Sequence, residues 1–594
     1  MIWNVCFVLM CLCMVAAILI AVILSVKRKA KGFLKPFNIV MLGVFFAVLM
    51  GVFPTNYVEL QGTTCCMGVF FEALALSLVN VLQVFSVDMD GKELLSAISE
   101  QSFVLNKPYV FIISVLSAIA PLMTVGVIIS VIAKFNAHVK YALGYRKPAY
   151  IFSELNERSL TLATDIKNNH KEAMIIFTDV LEKEEELFFD LSNKAKMINA
   201  ILFKNDVLGV KFTFHRKTSE ISFFIMGEDE TENINHTLSL IERYRERENT
   251  RLYIFSSNCE SELALSRINK GKLKVRRINE VQSLVYRTLY ESGTQIFEKA
   301  IEHEDGTKHI NAIVIGMGNY GTEMVKALAW YCQMDGYKIT IDAFDLKKSA
   351  ESEFKALCPD LMSPKYNGVC KKGESEYTIR VHSGMNANSD EMLTVFKNLG
   401  VATYVFVSVG SDAENINIAV NMRKEWGRLG FNPTIQAVVK NPKISEFLKG
   451  SVNFKNIAYN LDFVGNNQLA YSENVVIDSE LEQVALKRHL KWGEENSFWE
   501  FEYNYKSSVA SVIHKKARDF CHVNGNDKLN SEGVASLTFA ELEGLRCLEH
   551  RRWNAYMRAE GYIYSKQRDD MSKTHPCLIA YDLLPQKEKE KDIW

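Results

Sequence analysis

The sequence has no cysteine pattern that would hold a zinc ion or a framework of disulfides. Its 12 cysteines include no C-x-x-C pair and no cysteine and histidine cluster at zinc spacing. Five of them lie in or beside apolar segments, and the others are scattered. This usage excludes a zinc module and indicates reduced thiols that face a cytosol. The adjacent Cys65 and Cys66 could form a disulfide bond or bind a metal, but their apolar surroundings favour a role as small packed side chains.

Motifs of several enzyme classes are also absent. The chain has no serine nucleophile elbow, no H-E-x-x-H protease motif and no Walker loop that cradles phosphates. His575 stands directly before a proline, which is typical of a turn residue rather than of a catalytic base. We therefore expect a protein that is not an enzyme.

Charge is scarce in the first 135 residues, and most of the 69 basic and 70 acidic side chains follow them. Three apolar runs, Val5–Val26, Phe37–Phe53 and Tyr109–Ala133, are each near the ~20 residues that cross a bilayer as a helix. No basic cluster precedes the first run, so we expect an anchor and not a cleaved signal peptide. The lipid bilayer is thus a predicted partner.

Basic residues set the expected orientation of these runs. They cluster in the first loop and again where the last run ends, so the positive-inside rule places both regions in the cytoplasm. We expect a multi-pass protein of the inner (plasma) membrane whose soluble domains are cytoplasmic. The basic residues are Lys27, Arg28, Lys29, Lys31 and Lys35 in the loop, and Lys134, Lys140, Arg146 and Lys147 at the exit.

A fourth apolar run, Cys65–Val87, carries Glu72, Asn80 and Gln83. If both ends of the region are cytoplasmic, parity excludes a fourth full crossing and predicts a re-entrant or interfacial segment. The polar groups of an irregular backbone at membrane depth must hydrogen-bond to protein or water, which suggests a pore. Glu72 is then a candidate for the ion path. The alternatives are four plain spans with the basic loop outside, and an interfacial position for Glu72.

From Lys147 onward, short β-branched and aromatic runs alternate with helical stretches, which predicts parallel sheets covered by helices. The pattern occurs twice. The fold class is therefore a membrane α-helical region followed by tandem α/β units of the Rossmann type. Expected strands are residues 149–152, 173–177, 200–203, 221–226 and 251–255 in the first copy, and 312–315, 339–344, 377–382, 403–409 and 434–439 in the second.

A short repeat supports the duplication, because "GEDETENIN" (227–235) and "GSDAENIN" (410–417) each follow the fourth strand. Both predict a capped helix start. The capping residues do not explain why Asn233 and Asn415 recur at the edge where such sheets bind ligands, so a ligand or interface role and a structural role both stay open. A surface insertion near Cys358–Glu376 accounts for the longer second copy.

The stretch "AIVIGMGNYG" (312–321) places Gly316, Gly318 and Gly321 at G-x-G-x-x-G spacing between a strand and a helix. In this motif the glycines permit a tight turn, close approach of a phosphate and helix packing, and the helix start at Asn319 offers N–H groups to an anion. Asp345 ends the next strand, where a carboxylate can accept hydrogen bonds from a ribose. NAD(H) or an adenine nucleotide is the candidate cofactor, although such glycines are also retained for packing alone.

The first copy carries Ser153, Leu155 and Arg158 where the glycines would stand. Their side chains would block a pyrophosphate, so we expect a structural role for this copy.

Membrane spans followed by two such units resemble the RCK (regulator of potassium conductance) domains and related potassium-uptake subunits, over roughly residues 148–465. The resemblance implies a ring of eight units, two from each chain of a homotetramer, beneath a pore that passes ions. The degenerate first loop departs from this family, and so does the absence of a selectivity filter. The string Thr124-Val125-Gly126 lies inside an apolar helix and is interpreted as helix packing.

The last 50 or so residues carry a dense set of matching positions: His550, Trp553, Arg558, Gly561, Tyr562, His575, Pro576, Leu578, Tyr581, Leu584, Pro585 and Lys589. At these positions they resemble the RyR domain, a small helical module repeated in ryanodine receptors. Arginines beside aromatic residues predict a surface for bases and phosphates, and a nucleotide or short oligonucleotide is the expected ligand. An aromatic core with a solvated basic face is the alternative. The candidate ligand-binding residues are Arg552, Trp553, Arg558, Tyr562, His575 and Tyr581.

These patterns divide the chain into four parts: a membrane region (1–147), a degenerate Rossmann unit (148–305), a unit with the glycine motif (306–470), and a helical lead-in with the RyR-like module (471–594). We expect a nucleotide- or oligonucleotide-regulated membrane ion channel. The resemblance suggests an anti-phage effector that depolarises the cell. The alternatives are a membrane-anchored NAD-dependent oxidoreductase and a regulatory subunit of a potassium transporter.

Overall fold

The computed structural model describes residues 2–26, 34–61, 66–86, 96, 98–101, 103–180, 185–362, 377–453, 455–456 and 458–592. The chain divides into two compact units, Met1–Leu143 and Gly144–Trp594, which are described separately. Most of the basic first loop and most of the expected insertion at 358–376 lie outside the described residues.

The first unit is a bundle of long apolar helices. In it, Tyr109 is fully buried and donates from its hydroxyl to the carbonyl of Gly51 at 2.6 Å. A side chain at Gly43 would come within 2.2 Å of the Ala17 Cβ, so small residues let two helices approach closely. The long helices are α1 (Ile2–Val26), α2 (Leu34–Glu59), α3 (Cys66–Ser86) and α4 (Asn106–Leu143).

Four of the described helices are long and apolar enough to cross a membrane. One of them, α3, is continuous over Cys66–Ser86, so the prediction of irregular backbone in this segment is wrong. The backbone N–H and C=O groups of this apolar segment hydrogen-bond to one another within the helix, and its few polar residues do not interrupt it. The membrane region therefore holds four candidate spans, Ile2–Val22, Ile39–Glu59, Met67–Ser86 and Asn106–Val125.

The second unit contains two parallel sheets, each with helices on both faces. The first sheet has the strand order β3-β2-β1-β4-β5-β6, the doubly wound Rossmann arrangement. Its elements are β1 (Ala149–Phe152), α5 (Glu157–Asn169), β2 (Met174–Phe177), α6 (Glu185–Met197), β3 (Ile201–Leu202), β4 (Ile221–Ile225), α7 (Glu230–Tyr244), β5 (Thr250–Phe255), α8 (Cys259–Arg267), β6 (Lys274–Ile278), α9 (Glu280–Ser292) and α10 (Thr294–Glu298).

The second sheet repeats this order as β10-β9-β8-β11-β12-β13, and a short β7 pairs antiparallel with β8. Its elements are β7 (Ile301–Glu302), β8 (Lys308–Ile315), α11 (Asn319–Tyr331), β9 (Tyr337–Asp345), α12 (Ala350–Leu357), β10 (Tyr377–Ser383), α13 (Asp390–Leu399), β11 (Tyr404–Val407), α14 (Asp412–Arg428), β12 (Thr434–Val438), α15 (Pro442–Leu448) and β13 (Leu461–Val464).

Alternation along the strands builds the core on both faces of this sheet. On β8, Ala312 and Val314 join one apolar cluster, whereas Ile313 and Ile315 join the cluster on the opposite face. A strand buried on both sides reads as a continuous apolar run, which is why "AIVI" was recognisable in the sequence. The carboxyl ends of β8, β9 and β11 consequently meet at one edge, where the glycine loop lies.

The C-terminal part is mainly helical and packs on the second sheet's helices. Trp330 of α11 meets Tyr556 edge to face at 6.1 Å, within a core shared by both parts. Its elements are α16 (Asn467–Ala470), α17 (Glu473–Val476), α18 (Glu480–His489), α19 (Glu495–Glu500), α20 (Glu502–Phe520), α21 (Asn526–Glu532), α22 (Phe539–Ala559), β14 (Ile563–Tyr564), β15 (Thr574–His575) and α23 (Gln586–Lys589), and short 3-10 turns lie at Phe212–Phe214, Val534–Ser536 and Tyr581–Leu583.

Candidate functional site

The glycine loop connects β8 to α11 and has a conformation that requires its first glycine. Gly316 has a φ of +91°, which side chains other than glycine rarely adopt. A Cβ there would lie 2.4 Å from the carbonyl oxygen of Ser408 on the neighbouring strand end. Gly316 is therefore explained by the turn itself.

Gly321 is explained by packing of the helix against the strand. A Cβ on Gly321 would come within 1.7 Å of the Gly316 carbonyl oxygen, so no larger residue fits. This is the close approach that the third glycine of the motif permits.

Gly318 has neither explanation. Its φ of −68° and ψ of −167° are open to any residue, and a Cβ would meet nothing within 4 Å. It occupies the N-cap of α11, a position where serine, threonine, asparagine or aspartate ordinarily stabilises a helix. Packing within the chain thus accounts for two glycines of the motif and leaves the second with open space in front of it.

The start of α11 faces this open space. Gly318 and Asn319 are exposed. The first N–H groups of a helix have no partner inside it, and the helix dipole adds positive potential at that end. The geometry suits an anionic group, such as a phosphate, at the mouth of the loop.

Asp345 lies at the loop, as the sequence predicts, but its carboxylate is already engaged with backbone. One oxygen accepts a hydrogen bond from the N–H of Met317 at 2.6 Å, and the other accepts from the N–H of Lys347 at 2.6 Å. This carboxylate holds the glycine loop to the end of β9. The predicted contact with a ribose would use the remaining acceptor capacity of the same oxygens.

Sequence reasoning missed Lys440, which follows β12. Its ammonium lies 5.2 Å from the ring centroid of Tyr320 in the first turn of α11. Its backbone N–H donates to Asp412 at 3.0 Å, which fixes the loop that carries it. An exposed cation thus stands beside the helix start, and only the fold brings it there.

The recurring asparagine is explained by the fold. Asn415 is buried, accepts from the N–H of Val409 at 2.6 Å and donates to the carbonyl of Val438 at 2.8 Å. It therefore ties the loop after the fourth strand of its sheet to the fifth.

Asn233 makes the same bridge in the first copy. It accepts from the N–H of Gly227 at 2.9 Å and donates to the carbonyl of Phe255 at 3.2 Å. The structural role of the repeated asparagine is thus observed in both copies.

The loop of the first copy is filled by its own side chains. The hydroxyl of Ser153 accepts from the N–H of Met226 at 3.1 Å, and the Glu154 carboxylate accepts from the N–H of Glu228 at 3.0 Å. Arg158 pairs with Glu280 at 2.9 Å. The side chains of Ser153 and Arg158 thus stand at positions where the second copy has Gly316 and Gly321.

The predicted ligand surface of the RyR-like module is largely interior. Arg552 and Arg558 of α22 are 1% and 5% exposed, and Tyr562, His575 and Tyr581 are also buried. Trp553 is partly buried, and its indole meets the His575 ring edge to face at 5.0 Å. The structure therefore brings these residues together as a packed core and not as an exposed surface.

Charge compensation explains how the arginine stays inside. Arg552 forms two hydrogen bonds to Glu549, at 2.9 and 3.2 Å. Burial alone would raise the pKa of Glu549, but Arg552, Arg488 and Arg518 lower it to about 2. The carboxylate is thus ionised and pairs with a cluster of buried guanidinium groups.

His575 does not have the environment of a general acid or base. Burial and the charge of Arg568 lower the pKa of His575 to about 4, so its ring is neutral at physiological pH. Its Nδ1 accepts from the N–H of Cys577 at 3.1 Å, which closes the turn before Leu578. The residue acts as the turn residue that its following proline indicates.

In the membrane unit, Glu72 is exposed within the candidate span Met67–Ser86. Two other polar residues of α3 are hydrogen-bonded to α2. Ser77 accepts from the Asn56 amide at 2.9 Å, and the Asn80 amide donates to Asn56 at 3.3 Å. Those groups are satisfied inside the bundle. Glu72 is directed away from it.

No group of three or more metal-ligating side chains occurs among the residues that the structure describes.

Comparisons with known proteins cover parts of the chain. A search of curated proteins finds no match. Among solved structures, a dipicolinate synthase subunit from Bacillus halodurans is similar over 63% of this chain and 97% of its own, at 10% identity and a TM-score of 0.19. Residues 542–594 match the RyR domain family.

Proposed function

We propose that the protein is one chain of an oligomeric, multi-pass ion channel of the plasma membrane, gated by a nucleotide or oligonucleotide that binds in the cytoplasm. The observation that carries the proposal is Gly318. Neither backbone conformation nor packing requires a glycine there, whereas a phosphate close to the start of α11 does.

Glu72 supports the channel part of the proposal. A carboxylate exposed within an apolar span is expensive against hydrocarbon and is expected to face protein or water. In an assembly of several copies, α3 would turn this face toward the shared axis. The resemblance to RCK rings favours four copies.

Gating needs only a difference in ligand affinity between two arrangements of the soluble units. A difference of ~1–3 kcal/mol in the binding free energy of the ligand shifts the equilibrium between the two arrangements 5–150-fold. A ligand that opens the pore would depolarise the cell, the activity expected of an anti-phage effector. No chemical step is involved.

Reconstitution tests the proposal. The full chain in liposomes is assayed for ion flux with NAD+, NADH, ADP, ATP and short oligoadenylates in turn, and NADH oxidation is followed in parallel. A change of ion flux on addition of one of these ligands supports the channel. Catalytic NADH oxidation without flux would favour the oxidoreductase, and silence in both assays would favour a regulatory protein that acts on another transporter.

A further inference from the structure

A cleft of about 670 Å³ lies within the Gly144–Trp594 unit, away from the glycine loop. It is bounded by the end of β6, by α9, by residues 468–482 and by α20. This volume is within the range of small-molecule sites, and the walls come from the first Rossmann copy and from the helical lead-in.

The cations that line the cleft are neutralised within the protein. Arg277 donates to Glu502 at 3.0 Å, and the ammonium of Lys506 lies 3.1 Å from the same side chain. Arg287 pairs with Glu291 at 2.6 Å. The fourth cation, Arg276, forms an ion pair with Glu482 and donates to the Val476 carbonyl at 2.8 Å. An anion entering the cleft would have to compete with carboxylates that these cations already hold.

Two other carboxylates of the lining are different. Asp478 and Glu480 are exposed, line the cleft and have no salt bridge or side-chain hydrogen bond within the described part of the chain. The lining holds six carboxylates, from Asp165, Glu291, Asp478, Glu480, Glu482 and Glu502, against four cations. Asp478 and Glu480 therefore form no ion pair with the cations of the lining, although the charge of Arg251 acts on Asp478 from outside the cleft.

Uncharged hydrogen-bonding side chains lie beside these carboxylates in the cleft. The side chains of Ser283, Gln468 and Asn474 line the cleft, and none of them hydrogen-bonds within the described residues. Tyr290 adds an aromatic wall, with the Lys516 ammonium 4.5 Å from its ring centroid. Carboxylate, amide and hydroxyl oxygens spread over a site of this size suit a ligand with several N–H donors.

We propose that this cleft binds an extended organic polyamine, whose ammonium groups pair with Asp478 and Glu480 while its N–H groups donate to the neighbouring amides and hydroxyl. The site is distinct from the glycine loop and does not depend on the proposed channel function. Because its walls come from two parts of the unit, an occupant would hold those parts together.

Binding is tested with the full chain in detergent, using spermidine as the probe and calorimetry and thermal unfolding as readouts, at constant ionic strength. We expect saturable binding of one spermidine per chain and a rise in the unfolding midpoint. The Asp478→Asn, Glu480→Gln double variant should fold normally, because both side chains are exposed, and should weaken binding about tenfold or more. Glu242→Gln, an exposed carboxylate on α7, should bind like the parent.

Several outcomes would overturn the proposal. One is the absence of saturable binding, and another is equal affinity in the parent and the double variant. A third is the same midpoint shift with magnesium at equal charge, which would indicate general screening. Because ion flux is not measured, failure here leaves the channel proposal untouched, and failure of the channel leaves this one untouched.

Discussion

Lys326 of α11 and Glu560 at the end of α22 lie 3.6 Å apart, nitrogen to carboxylate oxygen, and both are largely buried. Glu560 also lies 3.8 Å from the ammonium of Lys506 on α20. Burial by itself would raise the pKa of Glu560, but the two lysines hold it well below its usual range. An ion-pair cluster thus joins the helix behind the glycine loop to the RyR-like module.

The first prediction concerns this cluster. Lys326→Met leaves the Glu560 carboxylate short of one buried partner, so we expect a loss of about 3 kcal/mol of unfolding free energy. The exchanged pair Lys326→Glu, Glu560→Lys should recover part of the loss. Chemical denaturation of the parent, of Lys326→Glu, of Glu560→Lys and of the exchanged pair completes a double-mutant cycle and measures the coupling.

Lys355→Met is the matched control, because its pair with Glu351 is exposed, and it should change stability by less than about 1 kcal/mol. Equal losses at positions 326 and 355 would contradict the interpretation of a buried cluster.

The second prediction separates the glycines. Gly321→Ala places a methyl group against the Gly316 carbonyl and should cost about 3 kcal/mol, whereas Gly318→Ala meets open space and should cost far less. Thermal unfolding of the two variants, with hydrogen exchange of α11, gives the comparison. A Gly321→Ala variant as stable as the parent would show that the loop is looser than its geometry indicates.

The third prediction concerns the repeated asparagine. Asn415→Ala leaves the N–H of Val409 and the carbonyl of Val438 without this partner, so we expect a loss of about 2 kcal/mol. Asn417→Ala, on the exposed side of the same helix, should be nearly neutral. If Asn415→Ala unfolds like the parent but loses nucleotide affinity, the residue serves the ligand and not the fold.

The fourth prediction is a loss of stability in mild acid. Burial lowers the pKa of His514 to about 3, and Arg518 adds to the effect. The unfolded chain, with an ordinary value near 6.5, takes up this proton first, so stability is complete above pH 6.5 and falls as the pH drops toward 3. His514 alone contributes a slope of up to about 1.4 kcal/mol per pH unit. His215 and His575, with pKa values lowered by burial to about 4, act in the same direction.

Unfolding midpoints between pH 7.5 and 4.5 measure this slope. His514→Gln keeps a donor for the Gln333 carbonyl and should flatten the profile, while the exposed His522→Gln should not. A profile that is equally steep in both variants would place the titrating groups elsewhere.

The fold was largely predictable because most strands are apolar runs buried on both faces. Residues 149–152 coincide with β1, and most of the other expected strands fall within a residue or two of the observed ones, although β8 begins several residues earlier. The last strand of each sheet, β6 ("KVRRI") and β13 ("LDFV"), was missed. Each is an edge strand with one neighbour, and its charged residues break the apolar pattern.

The candidate site was predictable only in outline. Spacing located Gly316, Gly318 and Gly321, but only coordinates separate the two that packing requires from the one that it does not. Arginines beside aromatic residues predicted a ligand surface that includes Arg552 and Arg558, yet α22 is buried on several sides and Arg552 is paired with Glu549 inside. Tertiary packing decides such cases, and the local pattern does not encode it.

The central claim is that an anion at the start of α11 gates the membrane helices. Gly318→Asp tests it most directly, because an aspartate at this N-cap should stabilise the helix while its charge repels a phosphate. Gly427→Asp, at an exposed glycine of α14 with open space around it, is the control.

The decisive measurement is the current across a planar bilayer that contains the full chain, as NAD+, NADH, ADP, ATP and short oligoadenylates are added to the side of the soluble domains. We predict that one of these ligands changes the current of the parent and of Gly427→Asp, and that Gly318→Asp does not respond although its unfolding midpoint is unchanged or higher. An undiminished response of Gly318→Asp would contradict the account.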